Sequence, residues 1–201
     1  MLPRILRAVL FPLLVSVMPA TGLAADAADD PRAEDRKQLL AVFAEVVNAI
    51  NEQNIDRMVA QMDHDATVVW LNAEASRGKE AIKAYYRKMV GASPDTILSK
   101  YTTNAKLAAP ARFFGDIAVA DGTTQDEFFP HRRGPFRLDS NWSVTCAKRD
   151  GKWQVVHLHL STNVFDNNLL DEVTKTAWYA GIGGAIAGFA LMFAIGWFMR
   201  R

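Results

Sequence analysis

The chain has 201 residues, half of them hydrophobic, with 23 Lys and Arg against 22 Asp and Glu. Four of the 23 basic residues are Arg4, Arg7, Arg200 and Arg201 at the two ends, which leaves 19 basic against 22 acidic, a net of −3 with histidines neutral. A body with this balance and no basic stripe excludes a nucleic-acid footprint, and the length allows one ordinary domain plus terminal extras.

The first extra opens with the basic "MLPRILR", continues through an apolar run from Ala8 to Met18 and leaves through the small residues of "PATGLAAD". That order is the order of a secretory signal peptide, here residues 1–25 with cleavage after Ala24 or Ala25. Residues 26–33 are acidic and expected to be a loose linker. Leu39, Leu40, Phe43, Val46, Val47 and Ile50 then recur at helical spacing. "NEQNIDRMVAQM" reads as a turn into a short second helix capped by Asn54. Ala66 to Leu71 is β-rich, and "SRGKEAIKAYYRKMV" returns to helical period with Ala81, Ile82, Tyr85 and Met89 on one side.

From there the chain reads as strands over Leu98–Ala108, Ala111–Ala120, Thr123–Phe129, Phe136–Lys148 and Lys152–Thr162. "RDGK" between the last two predicts a tight hairpin, because Asp-Gly accepts the turn that matches strand twist. The order predicts an α+β domain with a curved antiparallel sheet wrapped around its helices. No repeat and no glycine-rich phosphate loop occurs, so no cofactor is expected. Cys146 is the one cysteine, which gives no internal disulfide and reads as a small core residue. "NWS" at Asn141 falls inside an expected strand and reads as a chance sequon.

The stretch "WQVVHLHLS" carries the candidate chemistry. Strict strand alternation places Trp153, Val155, His157, His159 and Ser161 on one face and Gln154, Val156, Leu158 and Leu160 on the other. Two imidazoles two residues apart could ligate a metal, but zinc needs a third protein ligand. Only His64, brought near by folding, could supply it, so no metal site is expected. They could instead move protons near neutral pH, or satisfy each other's surroundings as structural polar groups. Trp70, Trp142, Phe113 and Phe128 are candidates for the wall of an apolar cavity. In "PHRRGPFR", Arg132, Arg133 and Arg137 read as a solvated loop, with contact to anionic lipid headgroups the functional alternative.

The C-terminal end is uncharged from Ala177 to Met199 and is long enough, as a helix, to cross a bilayer. Trp178, Tyr179 and Trp197 stand where interfacial aromatics belong. Arg200 and Arg201 follow it, whereas Asp171, Glu172 and Lys175 precede it. The positive end stays inside, so the domain is expected on the periplasmic or extracytoplasmic side of the plasma membrane, with a juxtamembrane linker at 164–176. Ala180, Gly184 and Gly188 repeat every four residues, a spacing that lets two such helices approach.

Over Glu34 to Asn163 the chain resembles the SnoaL-like branch of the nuclear transport factor 2-like superfamily. The resemblance is carried by "FAEVVNAINEQNIDRMVAQMDHDATVVW", "RGKEAIKAYYRKM" and above all "RDGKWQVVHLHLS". It implies a cone with a pocket inside, lined by Trp70, Trp142, Trp153, Val155, His157, His159 and Ser161, with the Val156, Leu158 and Leu160 face turned outward against a second subunit. Members of the superfamily include isomerases, cyclases and plain binding modules. Carboxylates and hydroxyls do the chemistry in the first two, and Asp63, Asp65 and Tyr101 are stand-ins for them here. The expectation is a membrane-anchored, exported, dimeric module binding a small, largely apolar molecule. Its alternatives are a pocket enzyme of isomerase, cyclase or hydrolase type, with His157 or His159 as catalytic base and Ser161 or an aspartate assisting, and an envelope interaction domain.

Overall fold

The computed structural model describes residues 30–200, so the expected signal peptide at 1–25 lies outside the described residues. Three helices, α1 (Ala33–Asn51), α2 (Ile55–Ala60) and α3 (Lys79–Met89), alternate with or precede seven strands, and a long helix α4 (Asn168–Phe198) closes the chain. The strands are β1 (Met62–Val69), β2 (Ala75–Arg77), β3 (Leu98–Leu107), β4 (Arg112–Phe114), β5 (Ile117–Pro130), β6 (Phe136–Arg149) and β7 (Lys152–Thr162). They form one sheet in the order β2-β1-β7-β6-β5-β3, with β4 added to β5. All pairs are antiparallel except β1 with β7. This is the expected α+β cone, with the sheet curved around α1.

The local signals explain most boundaries. Asn54 caps α2 by accepting from the Arg57 backbone N–H. Asp150 and Gly151 both adopt positive φ, which produces the tight β6–β7 turn between Arg149 and Lys152. The solid part of the core lies where α2 and α3 meet β1 and β7, with Met58, Met62, Ile82 and Val68 fully buried. The start of α1 is tied to the β6–β7 hairpin by Asp35, which accepts from Lys148 Nζ (2.7 Å) and from the indole N–H of Trp153 (2.9 Å).

Three departures from the sequence reading have physical causes. Ala111–Ala120 and Thr123–Phe129 are not two strands. The break falls earlier, at Gly115-Asp116, and β5 runs unbroken through Asp121-Gly122. Gly122 is there for space, because a Cβ on it would stand 1.9 Å from the Lys106 carbonyl oxygen and 2.8 Å from the Trp142 ring. The juxtamembrane segment expected as a linker is helical from Asn168, since Asn167 caps it by accepting from the Leu169 and Leu170 backbone N–H groups. α4 is therefore 31 residues long, about 46 Å, and it is long and apolar enough to cross a membrane.

The third departure is a β-bulge in β7. Thr145 pairs with His157 and Cys146 with Val155, so Val156 has no partner of its own on β6. The pairing with β1 shifts at the same place, from Met62↔Val155 to Thr67↔His157. The alternation of β7 reverses there.

Gly122→Ala is expected to cost about 1–3 kcal/mol, toward the upper end because backbone as well as an indole must give way. Gly134→Ala, with nothing within 4 Å of its added carbon, is the control and should leave the chemical-denaturation midpoint unchanged.

Candidate functional site

A cavity of about 940 Å³ lies between α1 and the concave face of the sheet. The apolar stripe of α1 supplies one wall through Leu39, Phe43 and Val46, and the sheet supplies the other through Leu138, Trp142, Val144, Leu158 and Leu160. Leu39, Phe43, Val46, Val144, Leu158 and Leu160 are only half-buried because they face this hollow rather than each other. Trp142 stacks on Phe43 at 5.5 Å between centroids, its N–H donating to the Thr123 carbonyl. Trp70 stacks on Tyr85 at 4.3 Å and donates to Ser76 Oγ. Both indoles thus satisfy their one donor outside the hollow and give it their faces.

One patch of the wall is polar. Tyr101, Thr103 and Thr124 line the cavity. Asp126, 2% exposed, is held among them. Tyr101 OH donates to Asp126 Oδ1 at 2.7 Å, Thr103 Oγ1 to the same oxygen at 2.8 Å, and Thr124 Oγ1 to Oδ2 at 2.7 Å. Strand pairing builds the group: Thr103 is opposite Asp126, and Thr124 precedes Asp126 by two on the same face. Burial, with the Asp126 carboxyl beside it, pushes the Tyr101 phenol well above its ordinary pKa, so it keeps its proton. Ser140, opposite Thr124 on β6 and 3% exposed, has a buried Oγ with no hydrogen-bond partner among the described residues.

The bulge at Val156 decides the fate of the sequence candidates. Val155 still faces inward, but beyond it Leu158, Leu160 and Thr162 line the cavity, and His157, His159 and Ser161 take the outer face. The expectation that both imidazoles and Ser161 enter the pocket while Leu158 and Leu160 turn outward is thereby corrected. His157 is half-buried beside Thr67 and Thr145, and His159 is exposed beside Val69 and Ser143. Neither imidazole reaches the cavity as a catalytic base.

Trp153 is buried but belongs to the Asp35 anchor and an edge-on contact with Phe113, and it does not line the cavity. Trp70, Trp142 and Val155 line it. His64 is exposed on β1, with Nδ1 2.9 Å from Asp63 and Nε2 3.0 Å from Asp65. The Asp65 backbone N–H holds the Asp63 carboxyl below its ordinary pKa. Neither aspartate lines the cavity. Among the described residues no three His, Cys, Asp or Glu side chains converge as a metal site. Of the stand-ins, Tyr101 alone is at the cavity, and its partner Asp126 was missed. The signal for it was Tyr101-x-Thr103 and Thr124-x-Asp126, polar residues at alternate positions of β3 and β5, which pair antiparallel.

The comparisons with known proteins agree with this fold. Residues 39–165 match the family model of the SnoaL-like domain. Among solved structures, a LinA-type3 hexachlorocyclohexane dehydrochlorinase from Novosphingobium barchaimii LL02 superposes with a TM-score of 0.58 at 14% identity, covering 68% of this chain and 91% of that one. A ketosteroid isomerase-like protein from Erwinia carotovora atroseptica gives 0.55 at 16%, covering 64% and 96%. An uncharacterized protein with a cystatin-like fold from Caulobacter vibrioides gives 0.54 at 18%, covering 65% and 90%. At these identities the likeness is one of fold. The search of curated proteins returns no significant match.

Two outcomes follow for the cavity. His157→Ala and His159→Ala should leave the affinity for an apolar fluorophore within about twofold of the parent, whereas Val46→Phe, which pushes a ring into the hollow, should weaken it about tenfold or more, as read by fluorescence titration. Burial pushes the Cys146 thiol up to about 12, so at pH 8 the folded protein should resist iodoacetamide and react only once unfolded, as read by intact mass.

Proposed function

This chain belongs to the SnoaL-like domain family, and from that premise we propose that it is a membrane-anchored, exported module that holds a small, largely apolar molecule in its cone. The observation that carries the reading is the hollow itself. Its volume of about 940 Å³ is at the upper end of the ~300–1,000 Å³ of ordinary ligand pockets, and its lining is aliphatic and aromatic with one polar patch. A core filled only for stability would close such a space, since unfilled apolar volume is destabilising.

The anchoring part of the reading is supported by α4 and by where it begins. Asn167 and Leu169, at its capped start, line the cavity together with Arg133, Phe136 and Thr162. One end of the cavity is thus built from the first turn of the helix proposed to enter the bilayer. The expected homodimer is part of the same reading. Ala180, Gly184 and Gly188 support close approach of two copies of α4, and the space beyond both glycines is open.

A second reading is favoured by one observation, the hydrogen-bonded Tyr101–Asp126 pair in the cavity wall. In a pocket enzyme of isomerase or cyclase type these two, and not His157 or His159, would be the proton-handling groups. Native mass spectrometry of the gently extracted full chain tests the leading reading. A retained apolar molecule, lost in Val46→Phe, is expected. The bare protein mass under conditions that keep the fold would overturn it.

A further inference from the structure

We infer that the cavity selects its occupant by a hydroxyl group: the wall formed by Tyr101, Thr103 and Thr124, backed by Asp126, takes an apolar alcohol or phenol and rejects a carboxylate or phosphate head. The inference rests on the binding reading above and deepens it by naming the ligand class.

The argument is one of proton accounting. A carboxylate only accepts, and a hydroxyl has a single proton to give. Asp126 receives all three of the available protons, two on Oδ1 and one on Oδ2. Tyr101, Thr103 and Thr124 therefore have only oxygen lone pairs left for a ligand. An occupant's carbonyl, ether or carboxylate finds no donor on this patch, while a ligand O–H finds three acceptors. No Lys, Arg or His is ion-paired with Asp126 among the described residues, so the patch is electrostatically negative in an apolar surrounding, where an anionic head is repelled rather than screened.

Ser140 lies next to the patch without lining the cavity. It stands beside Thr124 on the face that also carries Leu138 and Trp142 into the cavity wall. Its buried Oγ is the hydroxyl in this neighbourhood whose proton is unspent. The rivals for an anionic ligand are two arginines that line the same cavity: Arg133, which lies over the Phe136 ring, and Arg36, which donates to the Ala111 carbonyl.

The test uses the full chain in lipid nanodiscs, with empty nanodiscs correcting for partitioning, and reads quenching of tryptophan fluorescence by three matched probes: 4-hexylphenol, 4-hexylanisole and 4-hexylbenzoate. The phenol should bind at least about tenfold more tightly than either of the others, the size expected for one well-placed hydrogen bond. Thr124→Val and Tyr101→Phe should each reduce that preference. Equal binding of phenol and anisole overturns the inference but leaves the binding reading intact. Tighter binding of the benzoate, weakened by Arg133→Ala or Arg36→Ala, overturns it in favour of an anionic ligand. Binding of none of the three overturns the inference together with the reading it rests on. Should a variant fail to fold, the ranking of the probes on the parent chain decides alone.

Discussion

Val156 stands where two residues of β7 face one of β6, and the composition of the cavity depends on that irregularity. Before it, Trp153 and Val155 face inward; after it, Leu158, Leu160 and Thr162 do. An unbroken strand would have carried two imidazoles into an apolar hollow and left two leucines on the outer face. Both changes are unfavourable: imidazoles without partners are costly to desolvate, and a buried leucine contributes roughly 1.5–3 kcal/mol when fully removed from water. The neighbouring strand β1 shifts register at the same level, so the bulge is accommodated from both sides of β7. It also bends the strand, which is what a sheet curved into a cone requires.

A hollow of this size persists only if its walls are held apart by something other than the molecule inside. The Asp35 anchor does this at one end of α1, where a carboxylate takes hydrogen bonds from Lys148 and from the buried Trp153 N–H. Charge-assisted bonds of this kind are worth about 1.5–3 kcal/mol each when buried, and less for the partly exposed lysine. At the other end Asn51 bridges to β3, accepting from the Thr103 backbone N–H and donating to the Thr103 carbonyl. α1 is therefore pinned at both ends by polar bonds, and its apolar middle is free to face the hollow. Trp153 matters to the cavity through this strut, without lining it.

The elements were legible where local chemistry dictates them. The helical periods, the Asn54 cap and the Asp150-Gly151 turn all follow from side-chain and backbone preferences within a few residues. The expected gap between Ala120 and Thr123 is absent, and the glycine in it, Gly122, has a steric and non-local role set by Lys106 and Trp142 from neighbouring strands. The reversal at Val156 was illegible for the same reason. A bulge is a relation between strands, and "QVVHL" contains nothing that marks its second valine as the extra residue. Of the seven residues expected in the pocket, Trp70, Trp142 and Val155 line the cavity, because large apolar side chains fill inner faces whatever the register. The imidazole assignments failed because they depended on parity, which a single inserted residue inverts.

Asp126 shows why the polar patch, rather than the fold, is where chemistry must be sought. A carboxylate at 2% exposure is a poor stabiliser: even with all hydrogen bonds made, a buried charge commonly does no better than an apolar side chain of similar volume. Three hydroxyls are spent on satisfying it, and they are the hydroxyls of the cavity wall. The cost of burying the group and the lone pairs it leaves facing the hollow are thus two aspects of one arrangement. Removing the charge by Asp126→Leu would release nothing useful to the fold, because Tyr101, Thr103 and Thr124 would each be left with an unsatisfied proton in an apolar wall. The patch is coherent only as a unit, and the unit points its acceptors at whatever occupies the cone.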